Sequence, residues 1–141
     1  MLMVIDVAIV LMLAQAIDNE ARNQPNLGKR AIAEVVLNRV YSPLFPNTIP
    51  EVLREDRGPE KFDCQFSYMC DGKFNRISDI PKSTHDMAQE YYVMYISGER
   101  QNTYLTEGAT HFHANYVAPY WSDIFDKTVS IGDHIFYRET R

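Results

Sequence analysis

Several features that would classify a protein at once are scarce in this chain of 141 residues. It has 14 Lys and Arg residues against 19 Asp and Glu residues, which leaves a net charge of −5. The basic residues are dispersed along the chain, whereas a nucleic-acid surface needs clustered Lys and Arg to displace phosphate counterions. We therefore expect no nucleic-acid partner.

Cysteine is also scarce, because Cys64 and Cys70 are the only two and cannot make a disulfide scaffold. Five residues separate them in a segment without periodicity. We expect them to form a disulfide if the protein reaches an oxidising compartment. On the chain-entropy account, so small a ring adds about 2 kcal/mol of stability.

A long apolar run is missing as well. Residues 1–13 are apolar apart from Asp6, but this is shorter than the ~20 residues a membrane span needs. The run also lacks the positive charge that opens a signal peptide. We expect a buried helix, no membrane span and no export signal. No repeat or linker divides the chain, so residues 1–141 are expected to form one monomeric domain.

Periodicity predicts helices first and strands last. The apolar stripe from Val4 to Ile17 predicts a central helix that the rest of the domain encloses. The other predicted elements are helices at Lys29 to Tyr41, Thr48 to Arg54 (Thr48 as N-cap and Glu51 in a capping box) and Ser83 to Ser97, irregular chain from Glu55 to Lys82, and strands at Ala109 to Ala114, Thr128 to Ile131 and His134 to Arg138, with a Gly132-Asp133 turn. This order predicts an α+β fold, mainly helical, with a small C-terminal antiparallel sheet.

Glu20 is the candidate for acid–base chemistry. It lies one step beyond Ile17 on the buried stripe, where the stripe reaches the surface. Partial desolvation there would raise its pKa into the range of a general acid. The alternative is that Glu20 merely ends the helix or pairs with Arg22.

Two histidines leave other chemistries open. His111 and His113 flank Phe112, so both point to one face of the predicted strand. With Cys64 or Cys70 they could bind zinc or form a cysteine–histidine peptidase site. The chain has no Cys-x-x-Cys and no His-Glu-x-x-His, so we expect neither a metal nor another cofactor.

Four groups of residues resemble one known family in the same order along the chain. They are Asn19-Glu20-Ala21-Arg22 with Pro25, Gly28, Asn38-Arg39 and Phe45-Pro46-Asn47-Thr48; Gln65-Phe66-Ser67 with Asp71-Gly72; Ala109 to Asn115 with Tyr116 and Trp121; and Ile131-Gly132-Asp133-His134 with Phe136-Tyr137. The chain resembles the cell-wall hydrolases of the spore-cortex-lytic type. It departs from them at Asn23 and Gln24, where the family usually has Gly-Glu.

The resemblance implies a lysozyme-like domain that cleaves the β-1,4 bond between N-acetylmuramic acid and N-acetylglucosamine, with Glu20 as the catalytic acid and base. The substrate would be the glycan strands of peptidoglycan. The residues expected to bind it are Gln65, Ser67, Tyr68, Phe112, His113, Asn115, Tyr116 and Trp121. We expect the cleft between the end of the first helix and the loop from Gln65 to Gly72, with Phe112 to Tyr116 as its far wall.

Three functions remain open at this point. The first is a lytic transglycosylase, which needs only one acid; Asp71, before Gly72, is expected to serve a turn. The second is a cell-wall peptidase or amidase that uses Cys64 or Cys70 with His111 or His113. The third is a sugar-binding module without turnover. With no export signal, a wall enzyme of this size resembles a phage or prophage lysin that cell lysis releases.

Overall fold

The computed structural model describes residues 4–56, 64–99 and 104–140. In chain order the helices are α1 (Val7–Ala21), α2 (Asn26–Tyr41), α3 (Ile49–Arg54), α4 (Ser67–Asp71) and α5 (Lys82–Ser97), and the strands are β1 (His111–Ala114), β2 (Asp126–Ile131) and β3 (His134–Arg138). Single 3₁₀ turns lie at Ile77–Asp79 and Tyr120–Asp123. The expected α+β class, mainly helical with a small antiparallel sheet, is confirmed.

Local capping residues define the helix ends. Asp6 accepts hydrogen bonds from the N–H groups of Ala8 and Ile9, at 3.0 and 3.4 Å, which starts α1. Thr48 caps α3 as predicted, because its hydroxyl accepts from the N–H of Glu51 and donates to the Glu51 carboxylate. Gly98 ends α5 in the left-handed conformation, with φ of 76°.

The core lies where α1 packs against α2 and α5. Leu13, Ala16 and Ile17 of α1 are completely buried there. The expectation that α1 is enclosed along its whole length is wrong for its first turn, since Val7 is 65% exposed. Apolar composition alone could not predict the exposed first turn. A helix with apolar residues on every side is buried only where other elements pack against it, and here they do not cover its first turn.

The sheet has the strand order β1-β3-β2, and both pairs are antiparallel. Ile131 pairs with His134 across the predicted Gly132-Asp133 turn, and Gly132 has a positive φ of 58°. Phe112 of β1 pairs with Phe136 of β3, and both rings belong to the main core. The hairpin is therefore confirmed, and its inner face joins the sheet to the helices.

The segment predicted to be irregular contains more structure than its sequence suggests. Helix α4 and the 3₁₀ turn at Ile77–Asp79 both fall within it. Elements of five and three residues are too short to show a helical period. Residues 57–63, part of the same predicted loop, lie outside the described residues. Among the described residues, no helix combines the length and the apolar content needed to cross a lipid bilayer.

Candidate active site

Glu20 is the next-to-last residue of α1, and its side chain is half-buried. Burial raises the pKa of this carboxyl from 4.5 to about 7. A hydrogen bond from the backbone N–H of Ser67 opposes the shift, and the negative charge of Asp71 adds to it. The predicted rise in the pKa of Glu20 is confirmed, with desolvation as its largest cause. Near neutral pH this group can both give and accept a proton.

The acid faces residues 64–75, which we call the acid-facing loop. Its first part is a ring closed by a disulfide between Cys64 and Cys70, whose Cα atoms are 6.2 Å apart. The expected pairing of these cysteines is confirmed. Ser67 lies inside the ring and is exposed, so the Glu20 carboxyl and the Ser67 N–H lie close to the protein surface.

Side chains of α1 hold the far end of the acid-facing loop. Gln15 donates to the carbonyl of Asn75 at 2.9 Å and accepts from the N–H of Asn75 at 2.7 Å. The Asn75 amide donates to Asp18 at 2.8 Å, and Arg22 forms an ion pair with Asp18. Arg22 therefore pairs with Asp18, and not with Glu20 as the alternative interpretation had it. The Glu20 carboxyl instead lies beside the acid-facing loop and close to the protein surface.

Gln65 connects the loop to the sheet. Its amide nitrogen donates to the carbonyl of Phe112 at 3.0 Å, and its oxygen accepts from the N–H of Phe112 at 3.2 Å and from Arg39 at 3.3 Å. The expected closeness of the loop to the Phe112 segment is thus seen. Because these contacts engage both ends of the amide, Gln65 joins the acid-facing loop to β1 within the protein.

Arg39 organises the same region from α2. This side chain is almost wholly buried, and its Nε donates to the carbonyl of Thr110 at 2.6 Å. Its guanidinium lies over the ring of Phe45, 4.6 Å from the centroid. Sequence reasoning found Arg39 only as part of a resemblance. The signal that could have found it is an Arg in the last turn of a helix whose residues 35–37 are all apolar.

Two further polar residues of α2 bind the chain that leads into β1. Of these, Glu34 was missed from the sequence, and Asn38, like Arg39, entered only through the resemblance. Glu34 is completely buried and accepts from the N–H groups of Leu105 and Thr106, at 2.9 and 2.5 Å, and from the Thr106 hydroxyl. Asn38, one turn later, donates to the carbonyl of Ala109 at 2.8 Å. These bonds hold the chain that leads into β1.

The far side of the site is built around Asp133 in the β2–β3 turn. The N–H of Asn115, which follows β1, donates to the carbonyl of Asp133 at 2.8 Å. The Gln24 amide accepts from the N–H of Asp133 at 2.8 Å and donates to its carboxylate at 3.0 Å. A Glu in place of Gln24, as the family usually has, would set two carboxylates against each other. The neutral side chain therefore suits this turn.

Two of the aromatic residues expected to bind substrate are not available at the surface. Phe112 is 3% exposed and packs between Phe66 and Phe136. Tyr68 is 2% exposed, and burial raises the pKa of this phenol, with the charge of Glu20 adding to the rise. The burial of both rings contradicts the expectation that Tyr68 and Phe112 bind substrate at the surface, because both face the core. Composition does not tell which face of a loop or strand an aromatic residue occupies.

Other expected binding residues do reach the surface. Tyr116 is 84% exposed, and Asn115 is exposed beside it. Trp121 and His113 are half-buried, with ring centroids 5.6 Å apart. His113 also contacts the Tyr137 hydroxyl at 3.0 Å. These side chains lie at the end of β1, and the Asp133 contacts tie that end to the chain that follows Glu20.

The positions of the histidines and cysteines argue against the zinc site and the cysteine–histidine peptidase site that the sequence left open. His111 and His113 both contact Trp121, so the predicted shared face is confirmed. Among residues 4–56, 64–99 and 104–140, the only close group of metal-ligand types is Asp56, Cys64 and Cys70, and it contains no histidine. Its two sulfurs are bonded to each other, so neither cysteine is a free thiol nucleophile in this structure.

Fold and site together define a class of protein. An α+β domain that carries a carboxyl group with a pKa near neutrality, next to a loop-lined surface, is equipped for general acid–base catalysis. Residues 23–137 match the protein family described as Cell Wall Hydrolase. The chain belongs to the cell wall hydrolase family, which is a family of enzymes.

Individual relatives agree with this assignment. The chain is 32% identical over 127 residues to the spore cortex-lytic enzyme of Bacillus subtilis strain 168, covering 90% of this chain and 36% of that protein. The chain thus spans about a third of the length of that relative.

Two solved structures have a similar fold. The catalytic domain of the germination-specific lytic transglycosylase SleB from Bacillus anthracis has a TM-score of 0.68 at 30% identity, covering 95% of this chain and 97% of that one. The catalytic domain of the Bacillus cereus SleB protein has a TM-score of 0.67 at 30% identity, covering 94% and 91%.

Proposed function

We propose that this domain cleaves the glycan strands of peptidoglycan, at the β-1,4 bond between N-acetylmuramic acid and N-acetylglucosamine, as a lytic transglycosylase with Glu20 as the catalytic residue. The observation that carries the proposal is the Glu20 carboxyl, whose pKa of about 7 and position beside the exposed Ser67 suit proton transfer. The similarity to the SleB catalytic domain supports the reaction class.

In the first step the protonated carboxyl of Glu20 gives its proton to the glycosidic oxygen as the bond to the anomeric carbon breaks. General acid catalysis of this kind contributes about 10²- to 10⁴-fold to the rate. The leaving sugar departs with that proton as a free hydroxyl group. Glu20 is now a carboxylate next to an electron-poor anomeric carbon.

In the second step the Glu20 carboxylate takes the proton from the C6 hydroxyl of the same muramyl residue. The C6 oxygen attacks the anomeric carbon and closes a 1,6-anhydro ring, and Glu20 regains its proton for the next cycle. Because the nucleophile is part of the substrate, it acts at a high effective concentration and needs no activated water.

A hydrolase would need a second carboxylate, at roughly 6.5–9.5 Å for inversion or about 5–5.5 Å for retention. Asp71 is the acid whose charge reaches Glu20. One of its oxygens accepts from the N–H of Lys73 at 2.8 Å, which makes the turn at Gly72. Because the Asp71 carboxylate is engaged in this turn, the arrangement favours transfer to the C6 hydroxyl over hydrolysis.

Four side chains at the surface fit a role in sugar binding. Tyr116 and Trp121 offer aromatic faces, and Ser67 and Asn115 offer groups for hydrogen bonds to hydroxyl and N-acetyl groups. His113 can add its ring face to this surface, since its two ring nitrogens already contact the carbonyl of Ala114 at 2.7 Å and the hydroxyl of Tyr137 at 3.0 Å. Gln65, Tyr68 and Phe112 would instead support the site from within.

The deciding experiment is mass spectrometry of the fragments released from purified peptidoglycan. We expect 1,6-anhydro-muramyl ends, released about 10²- to 10⁴-fold more slowly by a Glu20→Gln variant. Reducing ends in place of anhydro ends, with an inactive but folded Asp71→Asn variant, would establish hydrolysis with Asp71 as the second acid. New amino groups without new glycan ends would instead show a peptidase or amidase, and binding without any product would show a sugar-binding module.

A further inference from the structure

The disulfide encloses the part of the protein that touches the acid. Residues Gln65 to Met69 lie between the two bonded cysteines, and two of them connect the ring to the site. The N–H of Ser67 donates to Glu20, and the side chain of Gln65 holds both backbone groups of Phe112. The ring therefore lies between the catalytic acid and the sheet.

The two ends of the acid-facing loop are held by different means. Asn75 is attached by hydrogen bonds to Gln15 and Asp18 of α1, none of which involves a cysteine. The Ser67 end is held by the Gln65 amide, by the buried rings of Phe66 and Tyr68, and by the covalent ring. Opening the ring would leave the Asn75 end and the two buried rings in place and would loosen the exposed backbone at Ser67, which lies beside Glu20.

We propose that the Cys64–Cys70 disulfide is a positioning element of the active site, so that cleavage of peptidoglycan depends on oxidation of this cysteine pair. The proposal rests on the proposed function. The bond does no chemistry on the substrate. It restricts the backbone of the ring so that the Ser67 N–H stays directed at the Glu20 carboxyl.

The redox step is a thiol–disulfide exchange with an external disulfide. The thiolate of one cysteine attacks that disulfide and forms a mixed disulfide, and the second cysteine then displaces the external group. The protein gains one S–S bond, and the external disulfide is reduced to two thiols that carry the two hydrogens. A thiol reductant reverses the same steps.

Geometry of this kind has a large effect on catalysis. A displacement of about 1 Å in a catalytic arrangement can cost on the order of 10²-fold in rate. In the reduced protein Ser67 samples more positions relative to Glu20, so the fraction of molecules with the productive arrangement falls. Of the four side chains proposed to bind sugar, only Ser67 lies in the ring, whereas Asn115, Tyr116 and Trp121 lie outside it. Substrate binding is therefore affected less than turnover.

The test compares oxidised wild type with wild type held reduced by a phosphine reductant, on purified peptidoglycan, with the thiol state verified by alkylation mass. We expect kcat to fall about tenfold or more and KM to change less than about threefold. The matched control is the Cys64→Ser, Cys70→Ser double variant, which should resemble reduced wild type and ignore the reductant. Activity should return when wild type is reoxidised with a small disulfide.

A second readout does not depend on turnover. The carboxyl carbon of Glu20, followed by NMR against pH, should titrate at a different pKa in the reduced protein, while the helical circular dichroism signal stays the same. Equal kcat and equal Glu20 titration in both redox states would overturn the proposal, and so would loss of the helical signal on reduction. If oxidised wild type releases nothing from peptidoglycan, the proposed function fails, and the Glu20 titration alone then decides whether the ring positions this residue.

Discussion

Two glutamates in neighbouring helices show how the same side chain is put to different uses. Glu34 in the middle of α2 is 0% exposed and accepts three hydrogen bonds from Leu105 and Thr106. Glu20 near the end of α1 is half-buried, and among the described residues it accepts from the backbone N–H of Ser67 alone. The more deeply buried carboxyl has the more complete set of partners.

The difference lies in what compensates for lost water. Donors around a carboxylate replace its hydration and turn it into an anchor for the chain that supplies them. Asp18 follows the Glu34 pattern at one oxygen, since Arg22 and Asn75 both bond to its Oδ2, whereas its buried Oδ1 has no hydrogen-bond partner among the described residues. At Glu20 the desolvation is left largely uncompensated, so its pKa rises and the group becomes a proton carrier.

The first way to test this comparison is to replace Glu20 with Gln, which keeps the shape and removes the titratable proton. We expect the rate of peptidoglycan cleavage to fall by about 10²- to 10⁴-fold, the usual contribution of a general acid. The measurement is release of soluble fragments, with circular dichroism as the check on folding. A folded variant with more than a tenth of the wild-type rate would contradict the role of Glu20.

The corresponding change in α2, Glu34→Gln, should act on stability. The new amide group faces the donors of Leu105 and Thr106, so at least one of these hydrogen bonds is lost, at a cost of about 3 kcal/mol for bonds to a charged acceptor. Urea unfolding at pH 7 measures the change. As a control, Glu90→Gln removes an exposed partner of Arg30 and should cost about 1 kcal/mol or less. Equal losses of unfolding free energy in Glu34→Gln and Glu90→Gln would show that buried Glu34 stabilises the fold no more than an exposed carboxylate does.

The third test uses pH. Because the pKa of Glu20 is raised from 4.5 to about 7 on folding, the folded protein holds this proton more tightly than the unfolded chain does. This contribution to stability is fully present below pH 4.5 and is lost as pH rises toward 7. The free energy of unfolding of Glu20→Gln, relative to that of wild type, should therefore rise by at most about 3 kcal/mol between pH 4 and pH 8. An unchanged difference across this range would show that the carboxyl is not desolvated.

The smallest effect is expected from Asp71→Asn. Asp71 contributes a negative charge that raises the pKa of Glu20, but it is the last of the three causes in size. Removing that charge should lower the alkaline limit of activity by less than about one pH unit and leave the maximal rate within a few-fold. The pH profile of fragment release gives both values. A rate that falls as far as in Glu20→Gln would make Asp71 a second catalytic acid.

Much of the local structure was accessible from the sequence because its causes are local. The Thr48 cap, the Gly98 stop and the Gly132-Asp133 turn each depend on the conformational preferences of one or two residues. The raised pKa of Glu20 was accessible for a related reason, since a residue that continues a buried helical stripe must be partly desolvated.

Other features could be predicted only in part. The closeness of Cys64 and Cys70 in sequence made their pairing possible, but that spacing does not decide it. The burial of Tyr68 and Phe112 and the partners of Gln65 were not accessible at all. Each depends on how residues far apart in sequence meet, as when Gln65 bonds to Phe112.

The sequence by itself determined the long helices, the C-terminal hairpin and which acid emerges from the apolar stripe of α1, because helix period, caps and turns act within a few residues. Only the tertiary structure decided which carboxyls are anchors and which is a proton carrier. Glu34 meets its donors at Leu105 and Thr106, and Asp18 meets Asn75, while Glu20 meets little besides Ser67. A carboxyl's pKa depends on the donors, charges and solvent around it, and long-range packing alone supplies those.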